Sequence, residues 1–103
     1  MVFVSTTQVI TNQNTNLSTS VDTVFINPTN PNLSITVNLP DISSTDGIRY
    51  WIKRLDSAAP SAVIVADGTQ LIDGSTSMGI STGQVYDLVS INGNWTLLNN
   101  VSL

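Results

Sequence analysis

The chain has no cysteine, no histidine and no glutamate, and only three of its 103 residues are basic. Without cysteine there is no disulfide framework and no thiolate metal site. Without histidine a serine nucleophile loses its usual activating base. The general bases left are seven aspartates, Lys53 and two tyrosines, so the expectation is a protein that is not an enzyme. Arg49, Lys53 and Arg54 form a single basic cluster against a net charge of -4. A surface that tracks phosphates needs a longer basic stripe, so no nucleic-acid partner is expected. No apolar run approaches the ~20 residues needed to cross a bilayer, and no membrane insertion is expected. The opening Met1-Val2-Phe3-Val4 is too short for the apolar region of a signal peptide and lacks a basic leader, so no export signal is readable.

What replaces the missing types is asparagine, threonine, serine and aspartate. These side chains compete with a helical backbone through local hydrogen bonds and favour turns, caps and strand ends. The sequence accordingly points away from helices. Leu33-Ser34-Ile35-Thr36-Val37-Asn38-Leu39 alternates apolar and polar residues, the signature of a half-buried strand, and Pro40 ends it. Ile48, Tyr50 and Ile52 form the apolar face of the next strand, with Arg49, Trp51 and Lys53 opposite. Ala62-Val63-Ile64-Val65-Ala66 is apolar on both faces and predicts a covered central strand. Asp67-Gly68 and Asp73-Gly74 are turn signals around a very short strand, Gln70-Leu71-Ile72, and Met78-Gly79-Ile80 belongs to another. Thr23 to Ile26 and, more weakly, Thr7 to Ile10 are further strands. Val85 to Ile91 and Trp95 to Leu98 flank Asn92-Gly93, whose tolerance of positive φ predicts a terminal hairpin.

About eight short strands at regular spacing predict an all-β chain, a small antiparallel β-sandwich or jelly-roll-like barrel. Residues 1–20 are an N-terminal polar segment, an edge strand or a linker; residues 21–103 are the sandwich domain. No solenoid repeat is visible.

An ordered series of residues resembles a domain that recurs in phage tail fibres, neck appendages and other viral surface proteins. It runs through Asp22-Thr23-Val24, Ile35 to Pro40, Gly47, Tyr50, Ile52, Lys53, Asp56 and Ser57. It continues with Val63-Ile64-Val65, Gly68, Gln70, Ile72 to Ser75, and Val89 to Trp95. The series covers roughly four-fifths of the chain. Trp51 departs from the pattern, where a small or β-branched residue would be usual, as does Ala58-Ala59-Pro60. The resemblance implies a non-enzymatic fibre, spike or decoration domain at the virion surface. Such a domain assembles as a homo-oligomer, with a trimer favoured because viral fibres are commonly threefold. Its implied partners are copies of itself, other virion proteins and host cell-surface glycans.

Candidate sites follow from the side chains. An outward Trp51 between Arg49 and Lys53 suggests a subunit interface or a ligand platform, with the interface preferred. Tyr86 and Trp95 could contact a glycan, apolar ring faces stacking on the aromatics; the competing role for Trp95 is core packing. Asp67 and Asp73 invite a paired-carboxylate reading, as in glycoside hydrolysis, but both precede glycine in turns and are assigned to turn building. Asp41 with Asp46, and Asp67 with Asp73, border two loops whose spacing fits no calcium motif, so no metal and no cofactor are expected. The alternative function is a monomeric carbohydrate-binding module.

Overall fold

A computed structural model describes residues 6–11, 13–28, 34–43, 45–56 and 61–102. Among them are nine strands and no helix: β1 (Thr7–Ile10), β2 (Asn14–Asn16), β3 (Thr23–Ile26), β4 (Ile35–Asn38), β5 (Arg49–Arg54), β6 (Ala62–Val65), β7 (Ser77–Gly79), β8 (Gln84–Ile91) and β9 (Asn94–Ser102). They form a five-stranded sheet in the order β1-β3-β5-β8-β9 and a four-stranded sheet in the order β2-β4-β6-β7. The chain is all-β, as its composition implies, but both sheets are mixed. β1, β3 and β5 run parallel, as do β2, β4 and β6; only β7, β8 and β9 join their neighbours antiparallel.

This corrects the antiparallel expectation. From β1 to β6 the chain changes sheet at every step, so each strand lies beside the strand two before it and the connection must be a crossover rather than a hairpin. The path is a coil of three turns closed by an antiparallel cap. It left no period in the sequence because the turns are unequal: Thr7 pairs with Thr23, and Thr23 with the much more distant Trp51.

Alternation decides what each strand buries. In β3 Val24 and Ile26 turn inward, in β4 Ile35 and Val37, in β5 Tyr50 and Ile52, and in β6 Ala62 and Ile64; one buried cluster joins these residues of both sheets with Ile10, Leu17, Ile72, Leu88 and Trp95. Trp95 is 1% exposed and its ring lies 5.6 Å from that of Tyr50, tilted by 36°. Burying such side chains supplies about 1.5–3 kcal/mol each before the entropy cost of ordering them.

One local expectation changes. Gln70 to Ile72 is not a strand; Ile72 makes isolated bridges to Ser75 and Trp95 instead. Of the alternatives for the N-terminal polar segment, Asn14 to Asn16 takes the edge strand, pairing in register with β4, and its polarity suits that position. Ala58-Ala59-Pro60 lies outside the described residues.

The terminal hairpin turns on Asn92 and Gly93, at φ 53° and 77°. Both positive angles match the tight turn whose twist fits the flanking strands. A Cβ at Gly93 would sit 3.5 Å from the Ser43 carbonyl oxygen, so backbone strain rather than collision opposes a side chain there. Gly93→Val is expected to cost roughly 1 kcal/mol or more, read as a lower urea midpoint; an unchanged midpoint would contradict the turn geometry.

Candidate functional site

Neighbours across a sheet point to the same side, so the register of the five-stranded sheet assembles its outer face row by row. One row is Val9, Phe25, Lys53 and Val85; the next is Thr7, Thr23, Trp51 and Asp87; a third is Arg49, Val89 and Thr96. Ile91 continues the outward set of β8. Leu98 is the extra residue where Leu88 pairs with Leu97 but Asp87 pairs with Asn99, a bulge that leaves it uncovered. Leu55 follows β5 with the same parity as Trp51.

All the exposed large apolar side chains of the described residues, Val9, Trp51, Leu55, Ile91 and Leu98, therefore belong to this one sheet's outward set. Trp51 and Val9 are each 54% exposed. The outer face of the other sheet differs in kind: Asn14, Asn16, Thr36, Asn38, Val63, Val65, Ser77 and Gly79. Among the described residues that face carries no exposed large apolar side chain.

The three residues singled out in the sequence lie together on β5 but behave differently. Arg49 is exposed and clamped: its Nε and Nη2 donate to the two oxygens of Asp87 at 3.0 and 2.7 Å. That hydrogen bond first, and the carboxylate charge second, hold the guanidinium even more firmly protonated than usual. Arg49 is thereby a fixed planar group beside Trp51. The Arg49–Asp87 pair is made within the chain. Lys53 is half-buried beside Phe25. A hollow of about 330 Å³ is lined by Asp22, Thr23, Arg49 and Trp51. Its shape is set by backbone pairing, the Trp51 amide donating to the Asp22 carbonyl at 2.8 Å, and the Thr23 hydroxyl donates to the Asp22 carboxylate at 3.1 Å.

Tyr86 and Trp95 do not form an exposed platform. Both turn inward, Tyr86 at 5% and Trp95 at 1% exposure, so neither ring face is open to a sugar. The Tyr86 hydroxyl donates to the Gly79 carbonyl at 2.6 Å and so ties β8 to the other sheet, and burial raises its pKa. The cause in sequence is parity: Tyr86, Leu88 and Ser90 share the inward side of β8, and Trp95 pairs with Ser90.

Asp41, Asp46 and Asp73 brace loops and turns. The Asp41 carboxylate accepts from the Ser43 amide at 2.8 Å and the Gln70 amide at 2.6 Å, and these bonds, the backbone one first, lower its pKa. Asp46 accepts from the Asn92 amide at 3.0 Å and Asp73 from the Leu97 amide at 3.2 Å. Among the described residues no group of three or more His, Cys, Asp or Glu side chains is placed to hold a metal ion. Among them, too, no helix is long and apolar enough to cross a membrane.

A buried ion pair was not anticipated from the sequence. Arg54 and Asp56 form an ion pair under the sheet, 3.1 Å between Nε and Oδ1, with side chains 8% and 4% exposed. Arg54 also donates to the Ile80 carbonyl at 3.0 Å. The signal was present: Arg54 has the inward parity of Tyr50 and Ile52, with an acid two residues on.

Comparison with protein-family models gives no match, and comparison with curated proteins gives none.

Proposed function

We propose that this protein is a non-enzymatic virion domain, of the fibre, spike or decoration kind, that assembles as a homotrimer through the outer face of its five-stranded sheet. The observation that carries the reading is the concentration of every exposed large apolar side chain of the described residues on that face. Single exposed apolar residues are ordinary, whereas a shared apolar surface with an aromatic at its centre is characteristic of interfaces. The ordered residue series supplies the virion setting, the threefold symmetry and the two packed sheets of a sandwich. Location at the virion surface, contact with other virion proteins and recognition of host glycans follow from that setting. Turn-bound aspartates and the missing histidine, cysteine and glutamate support the absence of catalysis.

A second reading has one observation in its favour. The hollow beside Trp51 joins an aromatic face to a carboxylate, a hydroxyl and a fixed guanidinium, a set that suits a sugar ring, and a monomeric carbohydrate-binding module would use it. Light scattering on the purified chain separates the two. The trimer reading expects a solution mass about three times the 11.0 kDa of one chain. A monomer at high concentration that binds glycans would overturn it in favour of the module.

A further inference from the structure

The two ends of the coil are built differently. At one end the edges are β7, which ends in Gly79, and β9, whose ladder is broken by the bulge at Leu98. A bulged edge resists further pairing. At the other end the edges are β1 and β2, both unbroken in register and free of proline, lysine and bulges. Among the described residues nothing pairs with their outer sides.

The side chains at this end reinforce the asymmetry. The Asn38 amide donates to the oxygens of both Asn14 and Asn16, the second at 2.9 Å. The oxygens of this small asparagine ladder are thus used internally, while the amide hydrogens of Asn14 and Asn16 have no protein acceptor among the described residues. Hydrogen bonds to β4 are made by the Gln13 carbonyl and the Leu17 amide. By strand alternation the peptide groups of Asn14 and Asn16 turn to the open side.

We propose that the open edges of β1 and β2 are an association surface for a second copy of this chain, placed head to head about a two-fold axis normal to the sheets. Asn14-Thr15-Asn16 reads the same in both directions. Antiparallel pairing centred on Thr15 sets Asn14 opposite Asn16 of the second copy, and the reverse, so the free amide donors meet amide oxygens with lone pairs left over. Such an axis leaves outer faces outer, so β1 extends the five-stranded sheet by the same operation. Two short edges bury too little to hold two monomers firmly. In a trimer whose threefold axis runs along the coil, three edges engage at once, and the contact becomes multivalent. The inference therefore rests on the trimer proposed above and extends it to a dimer of trimers.

The test is light scattering over a range of concentrations, with circular dichroism to confirm folding, on the wild type and on Asn14→Asp/Asn16→Asp. The double variant keeps the oxygens that Asn38 needs but removes the outward donors and opposes like charges across the axis. The wild type is expected to double from trimer mass as concentration rises, and the variant to remain at trimer mass. Asn14→Asp alone, the milder change, should raise the concentration needed for doubling, and it carries the test where the double variant is poorly folded. A wild type that stays trimeric at all concentrations overturns the edge inference and leaves the trimer standing, as does doubling that the variants do not affect. A wild-type dimer abolished in the double variant supports the edge and overturns the trimer, while a monomer throughout overturns both.

Discussion

Trp51→Ala is expected to shift the solution mass from that of the proposed trimer to that of a monomer while leaving the β-rich circular dichroism intact. Trp51 makes this separation possible because it lies on the outward side of β5, 54% exposed, whereas its neighbours Tyr50 and Ile52 are fully buried. Its removal leaves no cavity in the core, and the fold keeps its packing. At an interface the loss is of another order. Burying a large apolar side chain contributes about 1.5–3 kcal/mol, and a central aromatic anchor costs about 2 kcal/mol or more when truncated. In a trimer the anchor occurs at every contact, so the loss is multiplied across the assembly. Trp95 provides the internal contrast: fully buried against Tyr50, its replacement by alanine would unfold the domain rather than dissociate it, at about 3–5 kcal/mol. A Trp51→Ala protein that remained trimeric would remove this face from the assembly.

Asp56→Ala is expected to lower stability by about 3–5 kcal/mol, a large part of the total of a small domain. The carboxylate meets two guanidinium nitrogens of Arg54, at 3.1 and 3.3 Å, and both side chains are almost wholly out of water. Deleting it removes two charge-assisted hydrogen bonds from a guanidinium that is almost wholly out of water. Arg49→Ala is the comparison: it takes the guanidinium from the largely buried Asp87 carboxylate, but the departing side chain is half exposed and opens Asp87 to water, so its effect should be smaller. Urea unfolding of the two variants checks the difference. A double replacement of Arg54 and Asp56 by apolar residues of similar volume should recover much of the loss, since no buried charge then remains. Equal midpoints for Asp56→Ala and the wild type would show that the buried pair contributes nothing.

Strand content and strand faces were legible because they depend on neighbours in sequence. The alternation of Ile35 to Leu39 and of Arg49 to Lys53, and the positive φ that Asn92 and Gly93 tolerate, are local properties. They identified β4, β5, the closing hairpin and the outward direction of Trp51. The same local rule, applied to Arg54, Tyr86 and Leu98, would have marked a buried cation, an inward tyrosine and an outward leucine. A bulge is a register event between two strands and has no signature in one of them.

Pairing is where local information ended. Whether β3 lies beside β1 and β5 in parallel, or beside β4 in a hairpin, depends on which hydrophobic faces meet across the core, and either arrangement buries Val24 and Ile26. Turns of unequal length hid the coil, since a repeat can be read only when its period is constant. By itself the sequence determined an all-β chain without helices, the turns at Asp73-Gly74 and Asn92-Gly93, and an exposed tryptophan among cations, each fixed by backbone preference and period-two alternation. Only the tertiary structure decided that the sheets are mixed, that Trp95 is core, that Arg49 is held by Asp87, and that Val9, Trp51, Ile91 and Leu98 share one face. Those facts are contacts between residues far apart in the chain, set by which strand edges find each other when the core closes.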